Sequence, residues 1–342
     1  MRWMCIILVA IAIPSRAHAT QLYVASAGTN NVIRYDGLTG ELINVATVGG
    51  PAAPAALSNP AGLLWGADGN LYVCSAFGAN AVLRYSGLTG EFMDVFAKGG
   101  GLDTPAFMTL GPDGHLYVTS HGAHAVLRYD GVSGEFIDEF ATAAPLRSPL
   151  GIAFGPDGHL YVSSQQTDQV LRFDGATGAF LNVFAADGGL GGPVGLLFGE
   201  DGNLYVASSA SDNVLRYNGM SGAFLDVFAA GGGLDDPIDL KFGPDGNLYV
   251  TDQNSSSVLR YNGSTGEFLD VFISGEPLNG AGGLVFAAAV PEPLVAATLL
   301  AACGAGVWFG RKSGVRECAI HARRQLTARA TRANDCKQPD DK

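Results

Sequence analysis

From about residue 20 to residue 286 the chain alternates short runs rich in Val, Leu, Phe and Tyr with clusters of Gly, Asp, Asn and Pro. In one stretch the runs are Pro149 to Phe154, His159 to Ser163, Val170 to Phe173 and Ala179 to Phe184. Runs of this length and composition, bounded by turn residues, predict β-strands. The turns carry their own chemistry. Pro-Asp-Gly starts at 112, 156 and 244, and the same slot holds Gly-Ala-Asp-Gly at 66 and Gly-Glu-Asp-Gly at 199. Pro fixes φ, Asp bonds its own backbone and Gly accepts positive φ, so these aspartates read as turn formers and not as calcium ligands. A second turn, Asp-Gly-x-x-Gly at 36, 130 and 174 and Asn-Gly-x-x-Gly at 218 and 262, reads the same way.

The pattern repeats. Leu-Tyr-Val begins at Leu22, Leu71, Leu116, Leu160, Leu204 and Leu248, and the last three steps are 44 residues each. A unit of this period cannot bury its apolar face alone and must stack on its neighbours. Four strands per unit predict an all-β, six-bladed β-propeller over 20–286. The first copy starts at Gln21-Leu22-Tyr23-Val24 without a leading strand, while a spare strand, Gly282 to Phe286, follows the last copy. Pairing of 282–286 with the first copy would close the ring and remove exposed sheet edges.

The residues that spell the unit, G-P-D-G-x-L-Y-V-x-S followed by V-L-R-Y-x-G, resemble the NHL-repeat and gluconolactonase-like six-bladed propellers. That resemblance implies the fold, but it spans lactonases, lyases, scaffolds and ligand sensors, so it does not choose a reaction. The lactonases and virginiamycin B lyases of this group would require single-copy acids, amides or histidines converging from several blades to hold a metal and activate a substrate. Here the copies are nearly interchangeable, which favours a non-catalytic binding or structural protein. The competing class is a calcium-dependent lactonase or lyase.

Departures between copies mark the candidate site. The arginine of V-L-R-Y recurs as Arg34, Arg84, Arg128, Arg172, Arg216 and Arg260, with acids such as Asp94, Asp138, Asp226 and Asp270 on the following strand, a pattern of cross-strand ion pairs. The leading strands should line the central channel. Their third position is Gly62, Gly151, Gly195 and Gly283 in four copies, but Phe107 and Asp239 in the other two, and Lys241 shares a face with Asp239 by strand periodicity. This acid and cation form a candidate ligand site, or a plain salt bridge. Asp252 of the same copy is a further candidate. The loop between the second and third strands varies most and offers Asn30, Asn80, His124, Asp168, Asp212 and Ser256 as a polar ring. His121 and His124 occur in one copy only, and two histidines are too few for a usual zinc site.

The ends are different material. Residues 1–19 carry Arg2, an apolar run from Met4 to Ile13 and Ala17-His18-Ala19, the pattern of a signal peptide cut by signal peptidase after Ala19. After a linker at 287–293, the apolar run 294–310 could just span a membrane as a helix, and Arg311-Lys312 would hold its inner end. Val290-Pro291-Glu292-Pro293, the hydrophobic run and the basic pair resemble the PEP-CTERM sorting signal of Gram-negative bacteria. That resemblance implies recognition of Pro291, Glu292 and Pro293 by an exosortase, and delivery to the cell surface or exterior. A retained membrane anchor accounts for the same pattern. The remaining tail, 311–342, is basic, lacks strand periodicity and reads as disordered.

The formal net charge of −12 conceals this division, because the residues between the two ends carry nine basic side chains, six of them the repeated arginines. A body so acidic would repel nucleic-acid phosphates and offers them no basic stripe. Of five cysteines only Cys74 lies in the repeats, so no disulfide framework supports the fold. No cofactor is demanded by the pattern, although acids of the body could collect calcium. The expected partners are an extracellular polysaccharide or a protein, bound on the rim of variable loops.

Overall fold

A computed structural model describes residues 20–47, 57–142 and 144–287. The signal segment, the Pro-Glu-Pro motif, the apolar run 294–310 and the tail lie outside the described residues. Among the described residues the chain forms six four-stranded antiparallel sheets, each built in sequence order except one. That one is blade 1, in which Ala281–Ala287 pairs with Gln21–Ser26 in the register Gln21↔Ala287, Leu22↔Phe286, Tyr23↔Val285 and Val24↔Leu284. The ring is therefore closed by the two ends of the array. The remaining leading strands are Pro60–Trp65 in blade 2, Pro105–Leu110 in blade 3, Pro149–Phe154 in blade 4, Pro193–Phe198 in blade 5 and Pro237–Phe242 in blade 6. Each packs against the leading strands of both neighbouring blades, and the cycle closes from Ala281–Ala287 to Pro60–Trp65.

Burial grades outward along each blade. The second strand, Leu160–Ser164 in blade 4, is buried at every residue, which is why it reads as an unbroken apolar run. The fourth strand faces water, and Leu42–Val45 of blade 1 is exposed throughout. The core lies between blades rather than at one centre: Phe107 and Tyr117 of blade 3, for example, cluster with Ile152, Leu160 and Val162 of blade 4. Edge-on ring pairs join adjacent blades. Tyr117 meets Phe154 with centroids 5.0 Å apart, Tyr161 meets Phe198 at 4.9 Å, Tyr205 meets Phe242 at 5.3 Å, Tyr249 meets Phe286 at 5.0 Å and Tyr23 meets Trp65 at 5.1 Å. Each such pair contributes about 0.5–1.5 kcal/mol beyond its buried area.

The turn aspartates act within the turn, as their sequence context implies. Asp157 accepts the His159 amide at 3.1 Å through one oxygen and the Tyr161 hydroxyl at 2.8 Å through the other, and Gly158 supplies the positive φ of 78°. The same oxygen lies 3.6 Å from Arg172. The repeated arginines make the expected cross-strand pairs in four blades, Arg84 with Asp94, Arg128 with Asp138, Arg216 with Asp226 and Arg260 with Asp270. In blade 4 the partner is the amide oxygen of Asn182, at 3.2 Å from Arg172 Nε. These guanidinium groups also cover a phenylalanine ring, as Arg260 does over Phe272 at 4.9 Å.

Candidate functional site

The start of each leading strand and the loop after each second strand meet at one end of the central channel. Ala61, Ala106, Leu150, Val194, Ile238 and Gly282, the second residue of each leading strand, line a cavity of about 280 Å³ there. His121, Gln165 and Gln253, the first residues of three variable loops, stand at its rim, with Asp236 beside them and Phe107 also in the lining. His121 Nε2 lies 3.5 Å from Gln165 Oε1. The mouth thus combines an apolar wall with three carboxamides, those of Asn59, Gln165 and Gln253, one imidazole and the Asp236 carboxyl.

Sequence periodicity pointed instead to the third residue of each leading strand. A β-bulge explains the difference. In blade 6 Pro237 pairs with Asp252 and Leu240 with Val250, so the alternation slips between them. The same slip recurs in blades 2 to 5. It leaves the second residue facing the mouth and tucks the third between neighbouring strands. A Cβ on Gly62 would lie 2.8 Å from the Phe107 Cα, one on Gly195 would lie 2.9 Å from the Asp239 Cα, and one on Gly283 would lie 3.0 Å from the Gly62 Cα. Glycine occupies these places because the backbones of adjacent blades nearly touch.

Asp239 sits in that packed layer at 3 % exposure. Its Oδ1 accepts the Leu240 amide at 2.9 Å and the Lys241 ammonium at 3.1 Å, and its Oδ2 accepts the Leu284 amide of blade 1 at 3.1 Å. The carboxylate is satisfied by two amides and one cation, and it ties blade 6 to blade 1. Lys241 keeps part of its side chain in water, at 36 % exposure. Asp252 is buried in the slot that serine fills in every other blade; its Oδ2 accepts the Asp235 amide at 2.7 Å and its Oδ1 the Ser255 amide at 2.9 Å.

The polar ring of the variable loops has a structural task that the sequence did not disclose. Each member has positive φ, between 43° at Asn80 and 58° at His124. Each accepts the amide of the residue just before the next leading strand. The pairs are Asn30 with Asn59 at 2.8 Å, Asn80 with Thr104 at 3.1 Å, His124 with Ser148 at 2.9 Å, Asp168 with Gly192 at 2.7 Å, Asp212 with Asp236 at 3.1 Å, and Ser256 with Gly280 at 2.9 Å. Six latches therefore join the six blades. His121 faces the mouth, whereas His124 belongs to a latch, so the two histidines of blade 3 are not brought together on one ligand.

Acids gather on the blade 6 side of the mouth. Burial, and then the nearby Asp252, Asp235 and Asp212, raise the Asp236 carboxyl above the usual carboxylate range. Among the described residues no group of three or more His, Cys, Asp or Glu side chains is arranged to hold a metal ion. Cys74 is buried without a partner thiol, and burial pushes its ionisation far up, so it is an inert core residue. The mouth left only a faint mark in the sequence: the second residue of the leading strand is apolar in every blade and ranges in size from Gly282 to Leu150 and Ile238.

Closed rings of six four-stranded blades define the class as a six-bladed β-propeller. No family model matches the chain, and no curated protein matches it in sequence. Solved structures do. The nidogen/laminin complex contains a chain of similar fold, with a TM-score of 0.62 and 19 % identity, covering 80 % of this chain and 99 % of that one. Virginiamycin B lyase from Staphylococcus aureus is similar with a TM-score of 0.56 and 17 % identity, over 75 % of this chain and 86 % of its own. A protein of unknown function from Bacteroides caccae gives 0.61 and 15 %, over 80 % and 100 %. At these identities the likeness is one of fold.

Proposed function

We propose that this protein is exported, sorted to the cell surface, and there binds a neutral extracellular polysaccharide at the channel mouth without transforming it. The observation that carries the reading is the make-up of the mouth. An apolar wall with Phe107 at its edge suits the faces of sugar rings, and Gln165, Gln253 and His121 offer uncharged donors and acceptors for hydroxyls. Two of the nearby acids, Asp239 and Asp252, are engaged in holding backbone amides, which leaves Asp236 as the carboxyl at the rim. A binding role is compatible with the fold shared with a chain of the nidogen/laminin complex.

A glycan array probed with the purified protein tests this. Binding to a neutral glycan that is lost in Gln165→Ala/Gln253→Ala supports the reading, and absence of binding to every glycan overturns it. Export and sorting rest on the terminal motifs, with signal peptidase and exosortase as the processing enzymes. Mass spectrometry of the mature protein should find an N-terminus near Thr20 and a C-terminus close to Pro293. A C-terminus beyond Arg311 would sink the sorting proposal in favour of a membrane anchor.

One observation favours a lyase or lactonase instead: the single-copy imidazole of His121 is half-buried at the mouth, next to acids that would attract calcium. Turnover of virginiamycin B or of a lactone, dependent on calcium and lost in His121→Ala, would replace the binding reading.

A further inference from the structure

We propose that the groove between blades 1 and 2, at the end of the leading strands away from the mouth, binds a small free carboxylate against Arg34. The cause lies in how the ring closes. In blades 2 to 6 a tight turn joins the leading strand to the second, and its aspartate faces the repeated arginine, from 3.5 Å for Asp68 and Arg84 to 4.0 Å for Asp201 and Arg216. Blade 1 takes its leading strand from the far end of the array, so it has no such turn and no turn aspartate. Tyr23, whose counterparts Tyr72, Tyr117, Tyr161, Tyr205 and Tyr249 donate to that aspartate, donates instead to Gln21 at 3.0 Å.

The other partners of the arginine are missing as well. The outer-strand position that is Asp94, Asp138, Asp226 or Asp270 elsewhere is Asn44. Ala46 stands where the other five blades carry the phenylalanine that the guanidinium covers. Among the described residues Arg34 forms no ion pair, and its Nε is buried without a hydrogen-bond partner. Asn44 turned toward it, as Asn182 is turned toward Arg172 Nε, would satisfy that one N–H and leave the charge unbalanced.

These omissions meet in one cavity of about 140 Å³, lined by Arg34, Asn44, Ala46, Trp65, Tyr85 and the turn from Ser86 to Gly90. It shares no residue with the channel mouth. Its lining holds one cation and no acid, whereas the corresponding cavity between blades 2 and 3 sets Asp68 beside Arg84, and that between blades 5 and 6 sets Glu200 and Asp201 beside Arg216. Even the turn of blade 2 contributes Ser86 where blades 1, 3 and 4 have Asp36, Asp130 and Asp174. Trp65 Nε1, a second buried donor without a partner, belongs to the same lining. The ligand class follows from what the chain supplies in blade 2, where one oxygen of Asp94 accepts from Arg84 Nε at 3.1 Å and the other from a terminal guanidinium nitrogen. A carboxylate from outside would complete the same fork on Arg34. A cavity of about 150 Å³ suffices for benzene, so this one takes acids of the size of acetate or lactate and is too small to enclose a sugar acid.

The test is titration of the full chain with acetate at constant ionic strength, followed by NMR through the indole N–H signal of Trp65. That signal is assigned by its loss in Trp65→Phe, which copies the Phe154 that ends the leading strand of blade 4. A saturable shift is expected, weakened by about tenfold or more in Arg34→Gln, as loss of a charge-assisted fork implies. Asn44→Asp installs the internal carboxylate of the other blades, so it should keep or raise Tm and weaken acetate binding by a similar factor. No saturation at decimolar acetate, or a shift unchanged in Asn44→Asp, would overturn the proposal. An equal response to chloride would mean an adventitious ion only, and glucuronate bound as tightly as acetate would contradict the size of the site; either result overturns it too.

Discussion

His124 Nδ1 accepts the backbone amide of Ser148, a residue 24 positions further along the chain and in the next blade. The bond needs a side-chain acceptor on a residue with φ of 58°, a conformation that Asn, Asp and His tolerate better than most. The ring is held together by its core and by six such latches. His124→Ala leaves the buried Ser148 amide unpaired and should cost about 1–3 kcal/mol in urea unfolding. His124→Asn, which copies the Asn80 to Thr104 latch of the preceding blade, should be nearly neutral. Equal loss in both variants would refute the latch.

In blades 2, 3, 5 and 6 the repeated arginine does two jobs, pairing with an acid and covering a phenylalanine ring, and blade 4 separates them. Arg172 faces Asn182 rather than an acid, yet its guanidinium still lies 5.6 Å from the Phe184 ring. In blade 4 the charge pairing on the outer strand is thus absent while coverage of the ring persists. Asp270→Asn should change stability by less than about 0.5 kcal/mol, because the pair with Arg260 is exposed on one side and screened. Arg260→Ala, which uncovers Phe272 as well, should cost about 1 kcal/mol or more. Thermal unfolding at low and high salt distinguishes the two, since only the charge component fades with salt.

The fold was legible because the repeat exposes its own phase. The incomplete first copy and the spare strand ending at Phe286 together dictate closure, and Ala281–Ala287 does pair with Gln21–Ser26. Candidate chemistry was less legible, for two physical reasons. The bulge after each leading Pro shifts which side chain faces the mouth, so parity counted along Pro237–Phe242 selected Asp239 instead of Ile238. Backbone partners are also invisible in a sequence: nothing in the letters distinguishes Asn80 bound to the Thr104 amide from an asparagine facing solvent.

Asp239 joins blade 6 to blade 1 through the Leu284 amide, next to the seam where the ring closes. Its removal should act on that seam. Asp239→Ala strands the amides of Leu240 and Leu284 and leaves Lys241 without its partner, a loss of about 2–3 kcal/mol. Adding Lys241→Leu, the residue found at this place as Leu64 and Leu197, should recover part of it. A double-mutant cycle by urea unfolding measures the coupling. No coupling between the two changes would mean that the 3.1 Å contact contributes nothing.

Asp236 predicts how stability depends on pH. Its carboxyl is raised by burial first, and then by Asp252, Asp235 and Asp212. Below the ordinary carboxylate value of 3.8 the group is protonated in both folded and unfolded chains and costs nothing. As pH rises from there through the raised folded value, the unfolded chain gives up its proton first, so this contribution to stability is lost across that window and stays lost at neutral pH. Asp236→Asn removes the penalty and suits the backbone, since Asn59 fills the same slot in blade 2 with φ of 48° beside 67° at Asp236. The variant should have the higher Tm at pH 7, with the advantage shrinking as pH falls toward the carboxylate range. Thermal unfolding from pH 3 to pH 8 checks this, and an advantage that is constant with pH would assign the gain to the backbone and not to the charge.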